Sequence, residues 1–361
     1  MNFKRITFVV LLLVMSSSFL FAANNSNKKP KQLEKTSDVK TTRLQYVVGF
    51  YNLENLFDTI DNPIKRDEEY LPSSKNKWNT KKYDSKLTHM AYAISQFPEN
   101  LAILGVSEVE NIHVMEDLVS QPSLASHNYK CICPEGPDKR GIDVGLIYDP
   151  KLFTVSSVTS TPMKSATPDF FTRDQLCVSG ELAGEQIHVI VLHWPSRWGG
   201  EKKSSHFRAE AAHTTKHICD SLYAIDADAR IIIMGDLNDD PTDDSVIKVL
   251  GAKAEVKQTG AQELFNPTIN IYKSGTGSLA YKNSWNLFDQ VMVSHAFLQQ
   301  GSSTLKWTHS VIFNKSFLKQ HSGPYKDSPH RTFSGGAWTD GYSDHFPSLI
   351  FLEKIVVQDE K

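Results

Sequence analysis

Ile231-Ile232-Ile233-Met234-Gly235-Asp236-Leu237-Asn238-Asp239-Asp240-Pro241 opens with four apolar residues and closes in turn formers. An apolar run bounded in this way reads as a buried strand, with the Gly, Asp, Asn and Pro at its exposed C-terminal end. Side chains two apart on an extended backbone project to the same side. Asp236 and Asn238 therefore aim a carboxylate and a carboxamide at one point, a pairing suited to a hydrated hard cation and a phosphate oxygen. Plain turn chemistry uses the same residue types, so the motif acquires meaning only if partners stand elsewhere in the chain.

Partners stand at five other strand ends. The predicted strand Gln45–Asn52 runs into Leu53-Glu54, Leu101–Val106 into Ser107-Glu108, and Gln186–His193 ends on a histidine. Asp289 opens the strand Asp289–Ser294, and Ser343-Asp344-His345 precedes Phe346–Leu352. Oxygen ligands for a cation, imidazoles to handle protons and a carboxylate to orient one of them are what metal-assisted phosphodiester cleavage requires. The sequence has no Gly-rich phosphate loop, no Gly-x-Ser-x-Gly elbow and no sign of a thiol nucleophile.

Further strands are predicted at Tyr129–Cys133, Val144–Tyr148, Phe153–Val158, Gln175–Glu181 and Arg230–Met234. Helices are predicted at Lys82–Phe97, Met115–Val119, Ser205–Ile225 and Asp243–Leu250. Strands alternating with helices, several strands in hairpin-like pairs, point to a layered mixed-sheet domain. Residues 59–81 and 314–341 are long polar loops, expected to shape a substrate cleft.

Asn52, Glu108, His193, Gly235-Asp236-Leu237-Asn238, Asp289 and Ser343-Asp344-His345 occur in an order and context that resembles the endonuclease/exonuclease/phosphatase (deoxyribonuclease I-like) superfamily. The resemblance covers about residues 44–353. It implies a four-layer α/β sandwich, an α+β arrangement of two mixed, mostly antiparallel sheets face to face with helices outside. It implies a metal-dependent phosphoesterase in which Asn52, Glu108 and Asp344 serve Mg2+; by its own preference for oxygen ligands Mn2+ could substitute. Asp236 and Asn238 would orient the attacking water and bind a phosphate oxygen. His345 would act on the phosphoryl group with Asp289 orienting it, and His193 is the candidate acid for the leaving oxygen; which histidine is the base stays open.

The chain departs from the deoxyribonuclease I branch at Glu110, which stands where that branch has an arginine. A carboxylate there speaks against a DNA substrate. Arg140, Arg173 and Arg197 are candidate phosphate-binding cations, with surface ion pairs as the alternative for the first two. The leading expectation is a nuclease-type phosphodiesterase. A phospholipid or sphingomyelin phosphodiesterase, a phosphomonoesterase or a catalytically inactive binding module are the alternatives.

Composition narrows this further. With 361 residues and 40% hydrophobic content the chain can bury a sizeable core. Residues 1–23 read as an export signal, with Lys4-Arg5, an apolar run and Ala22-Ala23, and the run is too short to favour a membrane span. Residues 24–42 read as a disordered tether, 43–355 as the domain and 356–361 as a tail. With Lys4 and Arg5 removed, 37 basic residues face 41 acidic ones, a net of −4, which excludes a strong general basic field for nucleic acid. Cys131, Cys133, Cys177 and Cys219 read as free thiols, and His213 and His217 as solvated helix-face residues.

Overall fold

The computed structural model describes residues 41–281, 284–299 and 304–357; the export signal and nearly all of the tether lie outside them. In the first half, β1 (Thr41–Leu56), α1 (Thr80–Ser95), β2 (Leu101–Val109), α2 (Ile112–Val119), β3 (Lys130–Ile132) and β4 (Asp143–Tyr148) come in order. The hairpin-linked β5 (Phe153–Thr161), β6 (Gln175–Leu182) and β7 (Glu185–His193) follow, then α3 (Glu201–Ile225) and β8 (Ile231–Asp236). The chain closes with β9 (Leu264–Phe265), α4 (Thr268–Lys273), β10 (Leu279–Tyr281), β11 (Ser284–Asn286), β12 (Asp289–Ser294), β13 (Lys306–Ile312), β14 (Phe333–Ser334), β15 (Ala337–Trp338) and β16 (Ser348–Val357).

Two six-stranded sheets carry the fold, one ordered β13-β16-β1-β2-β4-β3 and the other β5-β6-β7-β8-β12-β9. Both are antiparallel except at β1–β2 and β7–β8. Alternation along the strands explains the layering. Val48 and Phe50 pack with Val189, Val191, Ile232 and Met234 in the core between the sheets, whereas Val47 and Tyr51 turn outward to Leu87, Met90 and Ile94 of α1. On the other sheet, Ile231 and Ile233 pack under Ala212, Ile218 and Cys219 of α3. The result is the predicted four-layer α/β sandwich. Gly235 permits the close approach of β7 and β8, because a Cβ there would lie 2.3 Å from the carbonyl oxygen of Leu192.

Local signals set the helix starts. The Asn79 side chain accepts from the Lys82 N–H at the head of α1, and Asn111 accepts from His113 and Val114 at the head of α2. Several boundaries differ from expectation. The third helix begins at Glu201 rather than Ser205, since Gly199 and Gly200 at positive φ break the chain just before it and Ser204 bonds back to the Gly200 carbonyl within its first turn. The segment predicted as a helix over 243–250 is a short π-helix over Ser245–Leu250, entered from Asp243, whose carbonyl accepts from the Val246 and Ile247 N–H groups and whose carboxylate is held by Arg197. The last strand starts at Ser348, after Pro347, which has no N–H for a ladder bond, and runs to Val357 into the predicted tail. At the other end, β1 takes in Thr41 and Thr42 of the predicted tether. The strand β13 and the hairpins β10–β11 and β14–β15 were not legible in the sequence; β14–β15 lies inside the long loop 314–341. All four cysteines are free thiols, and His213 and His217 are exposed. No helix of the described residues is long and apolar enough to cross a membrane.

Candidate active site

The C-terminal ends of β1, β2, β7 and β8 gather at one edge of the sandwich. Strand register then lines up three of the predicted residues: His193 of β7 pairs with Asp236 of β8, and Asp236 pairs with Asp289 of β12. His345 enters from the segment before β16, and its Nδ1 lies 2.6 Å from Asp289 Oδ2. Ser278 donates to that same Asp289 oxygen at 2.5 Å, and Ser343 supports the turn by donating to the Asn52 carbonyl and accepting from the His345 N–H.

Asp236 sits at the centre. Its Oδ1 accepts from the Asn238 N–H at 2.9 Å and its Oδ2 from Asn52 Nδ2 at 3.0 Å. The same Oδ2 is 3.7 Å from His193 Nε2 and 4.0 Å from His345 Nε2. Two imidazoles thus converge on one carboxylate oxygen, His193 from the neighbouring strand β7 and His345 from the segment before β16 of the other sheet. Their electrostatics differ. His193 is buried, and burial together with the charges of Arg173 and Arg140 drives its imidazole well below the ordinary histidine pKa. Burial also works against charge on His345, but Asp289, Asp344 and Asp236 outweigh it and hold that imidazole protonated well above the ordinary value. Burial raises Asp236, against the pull of His345, with Asp289 adding to the rise.

Paired bulges deliver the metal-ligand candidate. The β1–β2 register shifts between Asn52 and Leu56, and the β2–β4 register shifts between Ser107 and Val109. Glu54, Asn55, Glu108 and Asn238 all adopt positive φ, a conformation costing ~1–3 kcal/mol for a non-glycine residue and concentrated here at the site. Glu108 is thereby turned so that one oxygen accepts the Asn55 N–H at 3.0 Å while Oε1 faces His193 Nε2 at 3.9 Å. Glu108, His193 and Asp236 each offer a ligand atom, all within 4.8 Å of one another, and Asp236, Asp289 and His345 form a second such group. Carboxylate oxygens predominate in this donor set, which suits a hard divalent cation.

Not every predicted site residue converges. Asn52 directs its Nδ2 to Asp236, and its oxygen accepts the Glu54 N–H. Asp344 has one oxygen 3.9 Å from His345 Nε2 and the other 2.6 Å from Arg331 Nη2. Arg173 is buried, donating to Asp138 at 3.1 Å and to the Trp194 carbonyl at 2.6 Å, where Asn238 Nδ2 also donates. Arg140 is half-exposed beside Asp138. Arg197 is ringed by Glu201, Asp239, Asp240 and Asp243 and donates to the Asn238 carbonyl, so it pins the loop after β8. Arg208, fully buried against Asp239, does the same from α3. Glu110 is buried and accepts the Asp58 N–H at 2.8 Å, so the expected repulsion of a DNA backbone loses its basis.

A network absent from the sequence reading completes the wall. Arg331 bridges Glu54 and Asp344, and the buried Lys86 donates to Thr332 Oγ1 and the Tyr342 carbonyl. Glu54 alone carried a signal, as a carboxylate two residues past Asn52.

A sandwich of this kind with carboxylates and two imidazoles at the strand ends defines a hydrolase of phosphate esters. The chain belongs to the Endonuclease/Exonuclease/phosphatase family, whose family model matches residues 47–354, and members of the family depend on divalent metals. No match is found among curated proteins. Solved structures share the fold at low identity. An endonuclease/exonuclease/phosphatase family protein from Bacteroides thetaiotaomicron is 17% identical with a TM-score of 0.53, covering 87% of this chain and 97% of its own. D. rerio TDP2 complexed with a single-strand DNA product is 13% identical with a TM-score of 0.53, covering 85% and 98%. The B. thetaiotaomicron VPI-5482 mannosyl-6-phosphatase Bt3783 is 16% identical with a TM-score of 0.51, covering 85% and 99%.

Proposed function

We propose that this protein is a Mg2+-dependent phosphodiesterase acting on nucleic acid, with water as the nucleophile. The observation that carries the reading is the convergence of His193 and His345 on Asp236 Oδ2, at 3.7 and 4.0 Å. Asp236, anchored by the Asn238 N–H and Asn52, orients the water and takes its proton. His345, held as imidazolium by Asp289, donates to a phosphoryl oxygen and stabilises the charge that develops there. His193, uncharged, positions substrate through its ring, so the acid role assigned to it by resemblance passes more naturally to His345. Glu108 and Asp236 would hold the cation, with Asp344 beside His345 as the further ligand the resemblance implies; the cation would supply charge neutralisation for the transferring phosphoryl group. The single-strand DNA product bound by D. rerio TDP2 supports nucleic acid as the substrate class. The likeness to a mannosyl-6-phosphatase keeps sugar phosphates as the rival.

The test is hydrolysis by the purified protein with Mg2+ of single-stranded DNA, RNA, plasmid DNA, bis-p-nitrophenyl phosphate, sphingomyelin and hexose phosphates. Diester cleavage that disappears with chelator and in H345A and D236A is expected; full activity of both variants would sink the assignment. Residues 1–23 are proposed to direct export, which N-terminal sequencing of the mature protein tests: an intact Met1 would exclude cleavage after Ala23.

A further inference from the structure

Just past His193 the chain forms one wall of a trough of about 790 Å³, which Pro195 and Ser196 line together with residues of the 138–140 and 169–173 segments and the start of α3. This lies within the ~300–1,000 Å³ range of small-molecule sites. Five cationic side chains, Arg66, Lys139, Arg140, Arg173 and Lys203, face two carboxylates, Asp138 and Asp169, although the whole chain is net acidic. Arg173 and Asp138 neutralise each other in the wall. Arg66, Lys139 and Lys203 are exposed and have no ion pair among the described residues. The Arg66 N–H donates to the Lys139 carbonyl, which ties two of the cations together.

Two aromatic rings interleave with these charges. Trp198 is 89% exposed and Phe171 51% exposed, with Lys139 Nζ 5.3 Å from the Phe171 ring centre. Beneath them Phe170 stacks on Phe207 of α3 at 3.9 Å, which fixes the 169–172 loop to the scaffold. Exposed rings among free cations suit a ligand that is both planar and polyanionic.

We propose that this trough is a subsite for single-stranded nucleic acid, in which a base stacks on Trp198 or Phe171 and the adjoining phosphates contact Arg66, Lys139 and Lys203. It rests on the nucleic-acid reading of the catalytic site and adds where the strand runs: from the scissile phosphate along the His193 side. Stacking on an exposed ring needs an unpaired base, so single strands are preferred over duplex.

The test is fluorescence anisotropy of a labelled single-stranded oligonucleotide titrated with the whole protein in EDTA, so that binding is read without turnover. W198A and the double variant R66A/K139A should each weaken binding on the order of tenfold or more, W198F should keep most of it, and R66A/K139A should flatten the salt dependence. A duplex of the same sequence should bind more weakly. No binding by the wild type, or unchanged affinity in W198A and R66A/K139A, overturns the subsite. A failure of the catalytic reading is seen separately, as absent diester hydrolysis in Mg2+.

Discussion

His345 Nδ1 lies 2.6 Å from Asp289 Oδ2, and both side chains are buried. Asp289 reaches that position through its register with Asp236, and His345 through the turn that Ser343 ties to β1. The contact fixes which imidazole nitrogen faces Asp236 and keeps the ring charged.

Asp289→Asn should therefore lower kcat by ~10²–10⁴ with little change in fold. The sign for pH follows from the raised pKa of His345. If the imidazolium is the active form, activity falls as pH rises through that pKa, and removing Asp289 moves the fall to lower pH. Steady-state pH profiles of wild type and variant check this; an unmoved alkaline limb would refute it.

Glu108→Gln should shift the Mg2+ dependence. One Glu108 oxygen is already held by the Asn55 N–H, and the other loses its charge in the variant. The metal concentration for half-maximal rate should rise on the order of tenfold or more. Titration of activity with Mg2+ after chelator treatment measures it, and an identical curve would exclude Glu108 as a ligand.

Lys86→Ala should cost ~1–3 kcal/mol of stability, because it removes a buried donor from Thr332 Oγ1 and the Tyr342 carbonyl and takes a favourable positive charge from the buried Glu54. Burial lowers Lys86 and raises Glu54. Adding Glu54→Gln should recover part of the loss. Urea unfolding of the two single variants and the double variant gives the coupling, and strict additivity would contradict it.

Asp143→Asn should stabilise the protein at alkaline pH only. Burial pushes this carboxyl up to about 7, against the favourable effects of Lys65 and the Gly136 N–H. A raised carboxyl pKa contributes stability that is complete below the unfolded value near 4 and is lost as pH rises through about 7. The amide keeps an acceptor for Gly136 without the charge. Thermal melts should show a gain of a few degrees at pH 8 and none at pH 4; a gain at both would point to packing instead.

What was legible in advance shares one property, that it is written locally. Alternation in Val47-Val48-Gly49-Phe50 and the apolar run Ile231–Met234 foretold strands, since a period of two places each side chain on a definite face. Asp236, Glu108 and His193 were visible because each stands where such a run stops. The partners of the arginines were hidden for the opposite reason. Arg173 and Arg197 look like free cations along the chain, yet Asp138 and the carboxylates of Asp239, Asp240 and Asp243 take them up. Glu110 looked outward until the β2–β4 bulge and the Asp58 N–H placed it inside.

From the sequence pattern came a layered mixed-sheet domain, the ordered set of polar groups at its strand ends and their suitability for phosphate ester chemistry, and from the resemblance those groups carry came the four-layer sandwich. Tertiary structure decided the charge state of each imidazole, the orientation of Glu108 through positive φ, and the Arg331 bridge to Glu54 across 277 residues of chain. Hydrophobic periodicity survives in one dimension because it acts between neighbours, whereas pairing and desolvation of charges depend on residues that only folding brings together.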